Sequence, residues 1–407
     1  MNDSRLMISV EDALQRITGA MPKLPSETVG LENALGRFLA EDIVSRRTQP
    51  PFDISAMDGY AVRSEDAKTA PFTLTQIGEV PAGGAFHDAI PSGKTVRIFT
   101  GGRVPADTDS VIMQEQASVS GDQITFSEAK EAGNNIRGAG GDFREGDLGL
   151  KAGRRLTPQD ISLLAAMNIP WLQVVRQPKI AILATGDELV RPGEPIGPNQ
   201  ILSSNNYGVA AMVRAWGGEP LDLGIAKDTE EDLRRALQSA KGADALVTLG
   251  GASVGDHDLV QKVLTEDGFT LNFWKIAMKP GKPLIFGDWD SMPVIGVPGN
   301  PVSALVCAIL YLKPALFAMQ GHATPTEANQ TIPVTLGQPV AENGPRQDHM
   351  RARLESVGGV LTAFPFSSQD SARLSILSAA DCLIIRKPHA SECAKGEIVQ
   401  AIPLMDL

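Results

Sequence analysis

The spacing of apolar residues changes several times along this chain, and each change predicts a different kind of element. Near the start it is helical. Leu14 and Ile17 share a face behind Ser9-Val10-Glu11-Asp12, where the Ser9 hydroxyl can accept from the backbone of Asp12. Leu31, Leu35, Phe38 and Leu39 predict a second helix over 31–42. From 71 to 127 the apolar runs become short and alternating, as in Thr95-Val96-Arg97-Ile98-Phe99, with Gly and Pro between them, which predicts a small β-rich unit. A glycine-dense loop over 133–153 follows, and Thr157-Pro158 with Asp160 then opens a capped helix.

Beyond 179 the rhythm becomes regular. Apolar strands at 180–183, 221–226 and 245–249 alternate with helices at 206–216, 230–240 and 258–266. Strands at 283–286 and 293–296 lead into a helix over 301–319. Continuous apolar strands alternating with helices predict a doubly wound, mostly parallel sheet. After Gly321-His322-Ala323-Thr324-Pro325 the pattern returns to strands at 331–336, 351–354, 360–366, 381–385 and 398–402, which predict a terminal β-barrel or sandwich.

Composition narrows the classes. Hydrophobic residues are 43% and charged residues 21%, as in globular chains, so disorder is excluded. At 407 residues the chain is too long for one core and predicts about two to four domains. With 48 acidic and 37 basic residues, the net charge of −11 argues against nucleic acid or anionic membrane as a partner. Small anions remain open, through a local lysine pocket. The start of the chain lacks a signal-peptide pattern, and the most apolar run, 302–312, stops at Lys313, short of a membrane span. Cys307, Cys382 and Cys393 are far apart, and the five histidines show no ligand spacing. The expectation is a cytoplasmic protein with reduced thiols and no structural zinc.

Candidate chemistry collects where open α/β sheets bind ligands, beyond the carboxyl ends of strands. Ala184-Thr185-Gly186-Asp187-Glu188 offers a turn with a hydroxyl and two acids. Gly250-Gly251-Ala252-Ser253-Val254-Gly255 can bring unhindered N–H groups to a phosphate. In Pro298-Gly299-Asn300-Pro301, Asn300 can cap a helix whose first residue is Pro301, so that the helix's positive end faces the same edge. Each could be a plain tight turn, but three on one sheet predict a shared anion pocket. Lys275, Lys279 and Lys282 flank rigid Pro-Gly turns nearby. Asp187, Glu188, Asp228, Asp256 and Asp258 form an acidic set suited to Mg²⁺, which takes carboxylates, water and substrate phosphate. No GxxxxGK[ST] sequence occurs, which disfavours P-loop hydrolysis.

Five motifs together carry a resemblance. They are Ser55-Ala56-Met57-Asp58-Gly59-Tyr60-Ala61-Val62, Thr185-Gly186-Asp187-Glu188-Leu189, the 250–255 loop, Lys279-Pro280-Gly281-Lys282-Pro283, and Pro298 through Ala304. In this order and spacing the chain resembles the molybdopterin molybdenumtransferase family, to which the C-terminal domain of gephyrin also belongs. The resemblance implies insertion of molybdate into adenylylated molybdopterin with release of AMP, Mg²⁺ as cation, and a homodimer whose active sites lie between subunits. It implies four domains: an elongated helical one from 1–46 with 143–178, a β-rich one at 47–142, a molybdopterin-binding-like α/β domain at 179–326 and a β-barrel at 327–407. By the same resemblance, Asp58, Glu188, Asp228, Asp258, Lys275 and Lys279 are catalytic, with Glu188 and Asp228 as metal ligands and the two lysines orienting molybdate. Thr100, Asp142, Thr185, Gly186, Gly250, Gly251, Ser253, Gly255, Pro298, Gly299, Asn300, Pro301 and Ser371 would bind the pterin substrate. The segment 346–353 departs from the family pattern, having neither an aromatic residue nor a glycine, which leaves contact through Arg351 open. Transient contact with the molybdopterin adenylyltransferase, and a non-catalytic binding or scaffold role on the same fold, also remain open.

Overall fold

A computed structural model describes residues 7–251 and 259–404. Its centre is a six-stranded sheet in the order Glu219–Ala226, Lys179–Thr185, Ala245–Leu249, Met292–Val297, Pro283–Trp289 and Thr270–Lys275. The first four strands are parallel, Pro283–Trp289 runs against them, and the edge strand Thr270–Lys275 pairs antiparallel with it and so runs with the first four. The doubly wound expectation therefore holds, with one antiparallel strand. The register sets Ala184 beside Leu249 and Leu249 beside Val297, so the residues after these three strands emerge at one edge.

Both faces of the sheet are covered. On one, Val209, Val213 and Trp216 pack with the long helix Pro301–Met319; Ala13 and Ile17 of the N-terminal helix Val10–Ala20 join the same cluster. On the other, Leu233 and Leu237 meet Val260, Val263 and Leu264. The Pro301–Met319 helix runs on through Lys313, past the apolar run that the sequence marks off. Among the described residues it is the one helix long and apolar enough to cross a membrane, and most of it is buried inside the protein. Its apolarity serves the core.

The predicted helix over 31–42 does not form. Only a 3₁₀ turn, Leu31–Asn33, precedes Gly36, which holds φ +75°. Leu39 N–H then donates to the Arg154 carbonyl at 3.0 Å and Ala40 N–H to the Gln173 carbonyl at 2.9 Å. Distant backbone has taken the hydrogen bonds a helix would need. This segment packs with 143–174: Ala34, Leu39 and Ile43 share a cluster with Leu150, Leu156, Leu164 and Val174.

Between those halves lies the β-rich unit, ordered Ser110–Met113, Gly59–Val62, Lys94–Ile98, Phe72–Val80, Gln123–Phe126 and Ala117–Ser120. The C-terminal strands Ile332–Leu336, Gln347–Val357, Val360–Pro365, Cys382–Arg386 and Ile398–Pro403 each pair with two others and close a five-stranded barrel, which leaves no open edge. Met278–Lys279 adds alongside Gln347–Asp348 and ties the α/β unit to this barrel.

Candidate active site

The aligned strand ends open into a cleft of about 1640 Å³. Of the residues expected there, Thr185, Gly186, Glu188, Asp228, Gly250, Gly251, Pro298, Gly299, Asn300 and Pro301 all line it. Gly250 has φ +94°, and a Cβ there would stand 3.1 Å from the Thr185 carbonyl oxygen. A side chain is excluded on both counts. A Cβ on Gly299 would in turn lie 3.9 Å from the Gly250 Cα, so the two loops stand backbone to backbone.

The acidic loop is held by the neighbouring strand. Gly186 N–H donates to the Ala226 carbonyl at 3.2 Å, and Asp228 N–H to Asp187 Oδ1 at 3.2 Å. Partial burial in the cleft pushes the Asp228 carboxyl above the ordinary carboxylate range, and the charges of Asp187 and Glu188 push the same way. Such a cluster favours either a proton or a cation. Among the described residues no three side chains are placed to ligate a metal together. Two carboxylates on one cleft wall still fit Mg²⁺, which keeps waters and takes substrate phosphate for its other positions. The donor set thus suits an ion that keeps several waters until substrate phosphate replaces them. At tenfold its dissociation constant, Mg²⁺ should stabilise the fold by about 1.4 kcal/mol. We expect a measurable rise in the thermal midpoint that Asp228→Asn abolishes, and that weakens as pH falls and protons compete for Asp228.

The long helix starts as the sequence predicts, with Asn300 at the cap position and Pro301 first, but the Asn300 side chain makes no cap bond. Its Nδ2 donates instead to Ser371 Oγ at 3.3 Å, and Val302 N–H donates to the Ser371 carbonyl at 3.1 Å. Ser371 therefore sits beside the cleft, and Ala372 lines it. On the other side, Asn205 Nδ2 donates to the Gly299 carbonyl at 2.8 Å. Sequence reasoning missed Asn205, although the polar run Ser203-Ser204-Asn205-Asn206 at a helix start carries that signal. It also missed Lys262, which lines the cleft and pairs with Glu230 at 2.6 Å.

Other candidates stand apart from this wall. Asp58 Oδ1 accepts from Thr100 N–H at 2.8 Å and Thr100 Oγ1 at 2.7 Å, and these bonds hold its carboxyl below the ordinary range. Both residues belong to the β-rich unit and neither lines the cleft, nor does the exposed Asp142. Lys275 Nζ lies 3.8 Å from the ring centre of Trp274. Lys279 Nζ reaches Asp348 Oδ2 at 3.4 Å, at the seam with the barrel. The Asp348 side chain is only 9% exposed, so Lys279→Ala strands a buried carboxylate and should cost about 1–3 kcal/mol in denaturant unfolding. Asp348→Asn should recover most of that loss. Arg351 is 1% exposed, its guanidinium donating to the Asp370 carbonyl at 3.4 Å rather than standing in the cleft. Ser253, Gly255 and Asp258 lie outside the described residues.

Comparison with known proteins identifies the class. Residues 8–168 match the model described as "MoeA N-terminal region (domain I and II)", 181–318 the "Probable molybdopterin binding domain", and 333–404 the "MoeA C-terminal region (domain IV)". This is the make-up of a molybdenum cofactor biosynthesis protein. The molybdopterin molybdenumtransferase of Haemophilus influenzae is 36% identical over 98% of this chain and all of its own length. That of Bacillus subtilis is 31% identical over 99% of this chain and 95% of its own. A crystal structure of a molybdopterin biosynthesis MoeA protein from Pyrococcus horikoshii superposes with TM-score 0.85 at 29% identity, over 98% of this chain and 100% of that one. The chain belongs to the molybdopterin molybdenumtransferase family.

Proposed function

We propose that this chain inserts molybdenum into molybdopterin, taking molybdate and adenylylated molybdopterin as substrates and releasing AMP. The observation that carries this reading is the convergence of three strand-end loops on one cleft, with the carboxylates of Glu188 and Asp228 on the same wall as the Gly250 and Gly299 backbone. The bond to be broken joins the AMP phosphorus to the molybdopterin phosphate oxygen. Water adds to that phosphorus as the molybdopterin phosphate leaves, giving AMP, and molybdate binds through the two pterin sulfurs as one of its oxygens leaves as water with the two thiol protons.

The chain's own groups divide this work. The bare backbone at Gly250 and Gly251 allows phosphate oxygens to approach, and the positive end of the Pro301–Met319 helix favours their charge. Glu188 and Asp228 would hold Mg²⁺, which when bound polarises the phosphoanhydride. Lys275 and Lys279 precede the turn leading to Pro283 on the cleft wall, and we assign them to the molybdate oxyanion as charges beside the cleft, Lys279 from its place against Asp348 at the barrel seam. Fixed charges in a cleft act more strongly than in water because they need not reorganise.

The working unit is a homodimer in which Asp58 and Thr100 of one subunit complete the cleft of the other. Supporting this, Ile201 and Leu202 line the cleft yet are 56% and 49% exposed, an apolar margin that a second subunit would cover. The test is AMP release from adenylylated molybdopterin by the purified protein with Mg²⁺, with and without molybdate. Molybdate-dependent release supports the reading. Pterin binding without release under any condition would replace it with a non-catalytic binding protein.

A further inference from the structure

The barrel reaches the cleft through the loop that follows Val360–Pro365. The last rung of that strand with Gln347–Val357 pairs Pro365 with Ala352, after which the loop turns away. Phe366 N–H still donates to the Arg351 carbonyl at 3.0 Å. Beyond this point only a side chain that mimics a peptide can continue the ladder, and a carboxamide does so because it holds donor and acceptor side by side. Gln369 fills that place. Its Oε1 accepts from Arg351 N–H at 2.9 Å, and its Nε2 donates to the carbonyls of Arg351 at 3.0 Å and Phe366 at 2.9 Å. Two residues later come the Ser371 contacts to Asn300 and Val302, and then Ala372 on the cleft wall.

We infer that Gln369 is a positioning residue for molybdenum transfer. It does not line the cleft, and it sets the Ser371–Ala372 edge by fixing the loop to the barrel. The inference rests on the activity proposed above and adds to it a route by which the barrel governs substrate capture. A loop anchored at Gln369 presents Ser371 to the helix start in one place. Without the anchor the loop keeps its chain connections but loses that placement, so binding suffers before chemistry does.

The test compares the wild type, Gln369→Leu, Ser371→Ala and the double variant, as full-length protein. Leucine keeps the bulk and removes all three hydrogen bonds. We expect the KM for adenylylated molybdopterin to rise about tenfold with kcat within about threefold, and the equilibrium affinity for that substrate to fall in parallel. In the Ser371→Ala background, Gln369→Leu should add less than about twofold, because both act at the same edge. An unchanged KM, or a full tenfold rise on top of Ser371→Ala, would overturn the inference. Should Gln369→Leu fail to fold, Gln369→Glu, which turns an anionic oxygen toward two carbonyls, is held to the same outcomes. A wild type without AMP release would sink the activity instead, while the affinity measurement would still decide the role of Gln369.

Discussion

Glu188→Ala is expected to lower molybdate-dependent AMP release roughly thousandfold while leaving thermal stability almost unchanged. The two halves of this expectation have separate causes. Glu188 is exposed on the cleft wall, and among the described residues no hydrogen bond ends on its carboxylate. A surface side chain of that kind shifts stability by no more than about 0.5 kcal/mol when truncated. Its charge does matter locally, since it helps hold Asp228 above the ordinary carboxylate range. In the variant the Asp228 pKa should therefore fall slightly while burial keeps it above its usual value, which NMR titration of the carboxyl can follow. Mg²⁺ affinity should fall at the same time, because one of the two carboxylates proposed to hold it is gone. An inactive variant that is also unfolded would say nothing about catalysis, so the thermal melt is measured on the same sample. A folded variant with wild-type turnover would remove Glu188 from the mechanism.

The parts of the site legible in the sequence are those fixed by neighbours along the chain. Ile180–Leu183 and Ala245–Leu249 are continuous apolar runs because helices cover both faces of their sheet, and that signal needs no knowledge of partners. The glycines of the 250 loop and the Pro-Gly-Asn-Pro turn announce themselves in the same way. The five C-terminal strands alternate strongly enough to be counted, but closure into a barrel depends on Gln347–Val357 finding both Val360–Pro365 and Cys382–Arg386. What stayed hidden was set by distant contacts. Phe38 and Leu39 keep helical spacing, yet their segment is unwound by bonds to Arg154 and Gln173. Asn300 has the chemistry of a cap, yet Ser371, 71 residues away, takes its amide. Lys279 reads as a free cation until Asp348 of the barrel stands beside it. Local pattern places the backbone of the site, while its side-chain partners come from tertiary structure.

If the working unit is the proposed dimer, mixed dimers made from Asp58→Ala and Glu188→Ala subunits are expected to recover about a quarter of wild-type activity, with each variant alone inactive. Asp58 and Thr100 form one hydrogen-bonded pair in the β-rich unit, away from the cleft wall of their own subunit. If they act on a partner's cleft, the two variants damage complementary halves of each site. A symmetric dimer carries two equivalent sites, and random pairing makes half of all dimers mixed. In each mixed dimer one site gathers both lesions and the other gathers none. One intact site in half of the dimers is a quarter of the wild-type number. If Asp58 instead served its own subunit, every site in a mixed dimer would hold one lesion, and mixing would restore nothing. Co-expression with two different affinity tags isolates the mixed species, where the expected value becomes about half of wild type. Zero activity in that isolated fraction would place Asp58 within its own subunit's site, whereas full activity of Asp58→Ala alone would remove it from the reaction. Thr100→Ala gives a second, milder reading of the same geometry, since it removes the Oγ1 bond to the Asp58 carboxylate and leaves the backbone N–H bond in place.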